Sequence, residues 1–233
     1  MTQSSNRPDA QLIPIRRGVD LPRRARDPRI DAFRGLALIM IIIDHMPGNP
    51  WEHLTIRNIG FSDAAEAFFI MSGIAAGIAY SPAIGRWMSG ELRLWDAMAP
   101  LWRRAWQLYI VHIVLTVAAI GLYAWAADTF VRSEFRVMHN LALLYDQTGA
   151  AMAGLVTLGY QIGYVNILPS YTVLLLAGPA LIAAVLYAPR TTLAVAGVFW
   201  LYAGATRLTI PNHPGGGGWF FNPLTWQFIF VIG

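Results

Sequence analysis

Cysteine is absent from the 233 residues, which excludes disulfides and thiolate metal sites. Lysine is absent too; all 17 basic residues are arginine. Genome base composition is enough to produce that bias, so no function is read from it. Charge is scarce: 13% of residues are charged and 56% are apolar, whereas a soluble domain carries about 25% charged residues. An apolar h-region is missing from the first thirty residues, so no cleavable signal peptide is expected. No two histidines stand at the i, i+4 spacing of a zinc helix, and no metal site is expected. Ser72 lies in Met71-Ser72-Gly73 without the Gly-x-Ser-x-Gly frame of a hydrolase nucleophile. No internal repeat supports an inverted-repeat transporter. The pI near 9.7 does not point to nucleic acid, because the arginines flank apolar segments as the positive-inside rule requires.

What is present is a series of long apolar runs, with lipid as the main solvent. They predict an all-α, polytopic transmembrane helix bundle of about six spans. The spans run from about Ala32 to Met46, Asp63 to Tyr80, Trp102 to Ala127, Ile167 to Tyr187 and Thr191 to Thr209, with a sixth from Asn222 onward. The sixth is too short to cross, since a span needs roughly 20 residues. Either it lies partly in the membrane or, the favoured expectation, the chain is a fragment of a longer protein. Residues 1–30 hold seven arginines with four interleaved prolines and read as a cytoplasmic tail; residues 31–233 read as the membrane domain. Arg86, Arg93, Arg103, Arg104 and Arg190 fall on the same side as that tail, which predicts a cytoplasmic N-terminus. Loops near 47–60, 128–166 and 210–221 are then external. The long 128–166 region includes a semi-polar helical stretch, Leu141–Tyr145, expected to lie along the outer interface or to dip inward. Gly215–Gly218 reads as a flexible loop.

The first apolar segment carries ionisable groups. Only nine residues, Gly35 to Ile43, separate Arg34 from Asp44-His45. Nine residues rise about 13.5 Å, whereas the hydrocarbon core is about 30 Å thick. At least one end must sit at membrane depth, where a charge costs at least about 2.5–3.5 kcal/mol unless it faces protein or water. Arg34 and His45 are eleven residues apart and share a helix face with Leu38 and Ile41. Asp31, one turn before Arg34, is placed to pair with it, and Asp44 lies on the flank. Snorkelling explains the arginine but not the Asp-His pair. A histidine beside a carboxylate at a span end suits general-base work on a hydroxyl.

The second segment opens Gly60-Phe61-Ser62-Asp63-Ala64-Ala65-Glu66. Glu66, Gly73 and Gly77 fall on one stripe, and the two glycines form a notch for a neighbouring helix. If the first helix fills it, Asp63 or Glu66 stands level with His45, to orient it or to bind a sugar hydroxyl. The competing reading is local: Ser62 or Asp63 caps the helix and Glu66 complements its dipole, and both readings can hold together. His112 reads as a packed, hydrogen-bonded residue; His53, His139 and His213 read as surface residues.

These residues resemble a known family. Asp31-Ala32-Phe33-Arg34-Gly35-Leu36-Ala37, Asp44-His45-Met46-Pro47-Gly48-Asn49-Pro50, the Gly60–Glu66 stretch and Ser72-Gly73 closely resemble the OpgC family. Ile167-Leu168-Pro169-Ser170-Tyr171 and Phe221-Asn222-Pro223-Leu224-Thr225-Trp226-Gln227 look like later blocks of it. The family is implicated in succinylating osmoregulated periplasmic glucans. The Arg34-to-His45 spacing also resembles the Arg/Lys-x10-His feature of integral-membrane sugar acyltransferases. The resemblance implies a bacterial inner-membrane O-acyltransferase, with lipid around it, acyl-coenzyme A (plausibly succinyl-coenzyme A) as co-substrate, no bound cofactor, and a periplasmic glucan or other glycan as acceptor. It casts His45 as base with Asp44 beside it, Arg34 near the acyl donor, and Asp31, Asp63 and Glu66 as donor or substrate contacts. Arg93, Arg103 and Arg104 either grip coenzyme phosphates or only set topology. A proton-coupled transporter using the same intramembrane charges is the main rival; a subunit without activity of its own is a third reading.

Overall fold

The computed structural model describes residues 27–46, 48–60 and 62–233. Most of the expected tail, residues 1–26, and the motif residues Pro47 and Phe61 lie outside the described residues. Nine α-helices follow in order: α1 Pro28–Asp44, α2 Ile56–Ile59, α3 Ala64–Met88, α4 Leu94–Thr129, α5 Ala142–Asp146, α6 Thr148–Val156, α7 Ile167–Tyr187, α8 Pro189–Thr206 and α9 Pro223–Ile232. The described residues form no β-strand beyond an isolated bridge between Pro211 and Gly218.

Local chemistry starts these helices. The Asp27 side chain accepts from Arg29 N at 3.0 Å and Pro28 takes the first helical position, where its missing N–H costs nothing. Asp63 and Glu66 form a reciprocal capping box on α3. Asn222 accepts from Leu224 N at 3.2 Å ahead of Pro223. Pro82, Pro100 and Pro179 stand inside α3, α4 and α7, as transmembrane helices tolerate when neighbours re-satisfy the freed carbonyls.

Among the described residues, three helices, α3, α4 and α7, are long and apolar enough to cross a membrane. This revises the expected count of about six. α1 has 17 residues, a rise of about 25 Å, with Asp31, Arg34 and Asp44 along it. α8 carries threonines and Arg190 in its first turn, and α9 has 10 residues. The predicted bounds of α7 coincide with the observed ones, whereas α3 runs on to Met88 and α4 begins eight residues early, at Leu94. With 36 residues, α4 is about 54 Å long and outreaches the hydrocarbon. Its first turns set Arg93, Arg103 and Arg104 among Trp95, Trp102 and Trp106, the mixture found at membrane interfaces. Further along, Val114, Leu115, Val117 and Leu122 are exposed. Only 17% of the most apolar window of α4 is buried, as befits a lipid-facing helix.

Two cores form. The larger joins Phe69, Ile84, Ala97, Leu101, Ala105, Leu174 and Leu175 between α3, α4 and α7. Gly178 lets α7 approach closely, because a β-carbon there would meet Leu101 Cδ1 at 3.0 Å. The indole N–H of Trp102 donates to the Leu176 carbonyl at 3.1 Å. The smaller core gathers Leu141, Leu144, Ala151, Leu155, Tyr160 and Ile162 against Ile113, Ile120 and Tyr123 of α4. The 128–166 region is therefore a folded cap with its own core, and the predicted helical stretch within it is α5.

The notch at Gly73 is filled, but not as expected. α1 does pack beside α3, yet a β-carbon on Gly73 would overlap the Phe230 carbonyl of α9 and meet Gly233 Cα at 3.2 Å. Gly77 has nothing within 4 Å. Phe69 packs its ring 4.6 Å from Trp226 on the same side. The helical stripe was legible in the sequence, but its occupant is α9.

Candidate functional site

The candidate site is built from the C-terminal end of α1 and the cap. α1 stops at Asp44, and the His45 N–H closes it on the Ile42 carbonyl at 3.2 Å. The His45 ring turns back along the helix, with Nδ1 2.6 Å from the Ile41 carbonyl. A carbonyl can only accept, so Nδ1 carries the proton, and in the neutral ring Nε2 keeps a free lone pair. Asp44 is half-buried; its Oδ1 accepts from Thr55 Oγ1 at 2.6 Å, and its Oδ2 is buried without a hydrogen-bond partner among the described residues. Asn49 caps the following turn by accepting from Trp51 N at 3.0 Å.

The other predicted residues are placed differently. Glu66 Oε2 accepts from Asp63 N at 2.6 Å, so Glu66 closes the start of its own helix; the local reading holds for this pair. Among the described residues, no carboxylate oxygen of Asp44, Asp63 or Glu66 is a hydrogen-bond partner of the His45 ring. Arg34 is half-buried and holds its guanidinium carbon 5.5 Å from the Phe68 ring centroid. It is turned onto α3 rather than out to lipid headgroups, a cation–π arrangement. Asp31 is half-buried on the same helix. Arg34 and His45 are about 16 Å apart along the axis, so they do not meet directly.

Two residues of the cap complete the arrangement. Tyr164 lies edge-on to His45 with ring centroids 4.6 Å apart, and its ring is 4.3 Å from His139. His139 in turn stands 5.6 Å from Tyr123 of α4. His139 is thus no loose surface residue. Burial, and then repulsion from His45, hold its pKa below the ordinary histidine value. Its backbone is left-handed (φ 55), as is that of Asn140 (φ 73), a conformation that costs energy outside glycine. The turn is secured because Tyr160 OH donates to the Asn140 carbonyl at 3.0 Å and Gly163 N donates to the His139 carbonyl at 3.1 Å. Burial, with Tyr145 adding to it, pushes the Tyr160 phenol up to about 12, so it remains a donor. The available sequence signal for Tyr164 and His139 was the length of the 128–166 region, since long ordered loops are commonly functional.

His112 is fully buried in α4 with Nδ1 3.4 Å from Thr116 Oγ1, a packed histidine as expected. His53 and His213 are exposed. Among the described residues, no three His, Asp or Glu side chains are grouped to hold a metal ion.

The fold is that of an all-helical membrane protein, and where α1 meets the cap it holds a candidate site centred on His45. The family model described as OpgC protein matches residues 26–233, and the chain belongs to that family. No match was found among curated proteins or among solved structures.

Proposed function

We propose that this chain is a membrane O-acyltransferase that moves an acyl group, plausibly succinyl, from coenzyme A to hydroxyls of a periplasmic glucan or related glycan. Family membership supports the reaction class. The single observation that carries the mechanism is the Nδ1 contact of His45 with the Ile41 carbonyl. It fixes the tautomer and leaves Nε2 as the base. Nε2 takes the proton of the acceptor hydroxyl while that oxygen attacks the thioester carbonyl. The C–S bond breaks, and the coenzyme thiolate leaves with the proton returned by His45. The Ile41 carbonyl stabilises Nδ1–H while the ring is charged. The proposed role of Asp44 is to anchor the turn that carries His45, with its Oδ1 held by Thr55 Oγ1. Arg34 is assigned to the acyl donor, whose extended thioester arm bridges the distance to His45, and Asp31 supports it. Asp63 and Glu66 contribute by fixing the start of α3.

In this reading the protein sits in the bacterial inner membrane with its N-terminus in the cytoplasm. Residues 1–30 form a cytoplasmic tail, and α1, α8 and α9 join α3, α4 and α7 in a six-helix membrane domain. The test is release of coenzyme A when succinyl-coenzyme A and glucan are added to the purified chain in nanodiscs. His45→Ala is expected to lose roughly 10²–10⁴ in turnover, and Arg34→Leu to raise the donor KM. Near-wild-type turnover of correctly inserted His45→Ala would end the assignment. A proton-coupled carrier would release no coenzyme A at all.

A further inference from the structure

Beside His139 lies a cavity of about 270 Å³. Its chemistry is unusual for a membrane protein. Its walls include His139, Asn140, Gln161, Asn166, Asn212 and Phe220, with glycines at 163, 216 and 218. None of the residues lining it is Asp, Glu or Arg. An ionic ligand would find no counter-charge there, and a hydrocarbon chain would leave the amides unmatched. Four carboxamides each offer both donors and an acceptor, which suits hydroxyl groups that also do both. Phe220 is 76% exposed and presents a flat apolar face for the C–H side of a ring.

The walls are tied down before any ligand arrives. Asn140 Nδ2 donates to the Gln161 carbonyl at 3.2 Å, Gln161 Nε2 to the Leu158 carbonyl at 3.0 Å, and Asn212 Nδ2 to the Gly218 carbonyl at 2.9 Å. Capacity is nevertheless left over. Asn166 stands at the N-cap of α7 without making the side-chain cap bond. Such a prepared, partly unsatisfied site binds with little reorganisation. Two ring contacts, His139 to Tyr164 and Tyr164 to His45, join it to the reacting histidine.

We infer that this cavity binds a neutral sugar unit, and that His139 in its wall is linked to the His45 centre through the ring of Tyr164. The role of that sugar as acyl acceptor rests on the acyltransferase reading; the binding itself does not. The test is isothermal titration calorimetry on the full chain in nanodiscs, with neutral glucose disaccharides and tetrasaccharides as probes and inorganic phosphate as the charged control. Gly216 lines the cavity and has open space at its β-position, so Gly216→Trp adds bulk at the cavity wall, and Gly216→Ala serves as its control. Wild type, Gly216→Ala and His45→Ala should bind saccharide and not phosphate. Gly216→Trp should lose roughly tenfold or more in affinity, and Asn166→Ala should weaken binding in a monodisperse, correctly inserted protein. Absence of saccharide binding by wild type, or unchanged affinity in both Gly216→Trp and Asn166→Ala, overturns the inference. His45-dependent acyl transfer without such binding would sink it alone. Saccharide binding without acyl transfer would instead sink the acyltransferase reading.

Discussion

Alanine at Gly73 and alanine at Gly77 are expected to move stability in opposite directions, although the positions are one turn apart on α3. In a helix interior, alanine is favoured over glycine by about 0.8–1.0 kcal/mol. Gly77 has nothing within 4 Å of a built β-carbon, so Gly77→Ala gains up to that amount. At Gly73 the same carbon overlaps the Phe230 carbonyl oxygen, lies 3.1 Å from its carbon and 3.2 Å from Gly233 Cα. All of these are backbone atoms, and no rotamer change relieves them. α3 and α9 must separate, loosening Phe69 from Trp226, which pack at 4.6 Å. Overpacking of this kind costs about 1–3 kcal/mol. After the propensity gain, Gly73→Ala is destabilised by about 0–2 kcal/mol, and the gap between the two variants is the overpacking cost itself, about 1–3 kcal/mol. Thermal unfolding in one detergent, followed by fluorescence-detected gel filtration, measures that gap. Equal stabilisation of both variants would refute the close contact of α9 with the notch.

Thr55→Val removes the donor to Asp44 at 2.6 Å. Loss of a hydrogen bond to a charged group costs about 1.5–3 kcal/mol, so the melting temperature should fall; an unchanged value would show that Asp44 is held by something else. The histidine in the cap predicts a pH dependence. Burial, and His45 when protonated, hold the folded His139 pKa below its unfolded value, so the neutral ring is the stabilising form. That stability is complete above the unfolded pKa of about 6.5 and is lost as pH falls toward the folded value. Melting temperature should therefore drop more steeply on acidification in wild type than in His139→Gln; parallel slopes would rule out the contribution.

The sequence by itself determined the class of the protein and the composition of the candidate site. Apolar runs with sparse charge specify helices in lipid, because only helices and closed barrels satisfy their backbone there. Helical period predicts one shared face for Arg34 and His45, and this needs nothing beyond 3.6 residues per turn; in the structure His45 is the C-cap of α1. The start of α3 was legible for the same reason: Asp63 and Glu66 act within one turn, and the capping box is a local interaction. Span count was less secure, since the 17 residues of α1 and the 10 of α9 fall below the length that marks a crossing by itself. What only the tertiary structure decided is which elements meet. A glycine stripe states that a helix will approach, but not which one, and α9 rather than α1 overlaps Gly73. Tyr164 reaches His45, and His139 packs behind it, across more than ninety residues of chain. No periodicity links them, because loop closure depends on how the cap packs its own small core against α4.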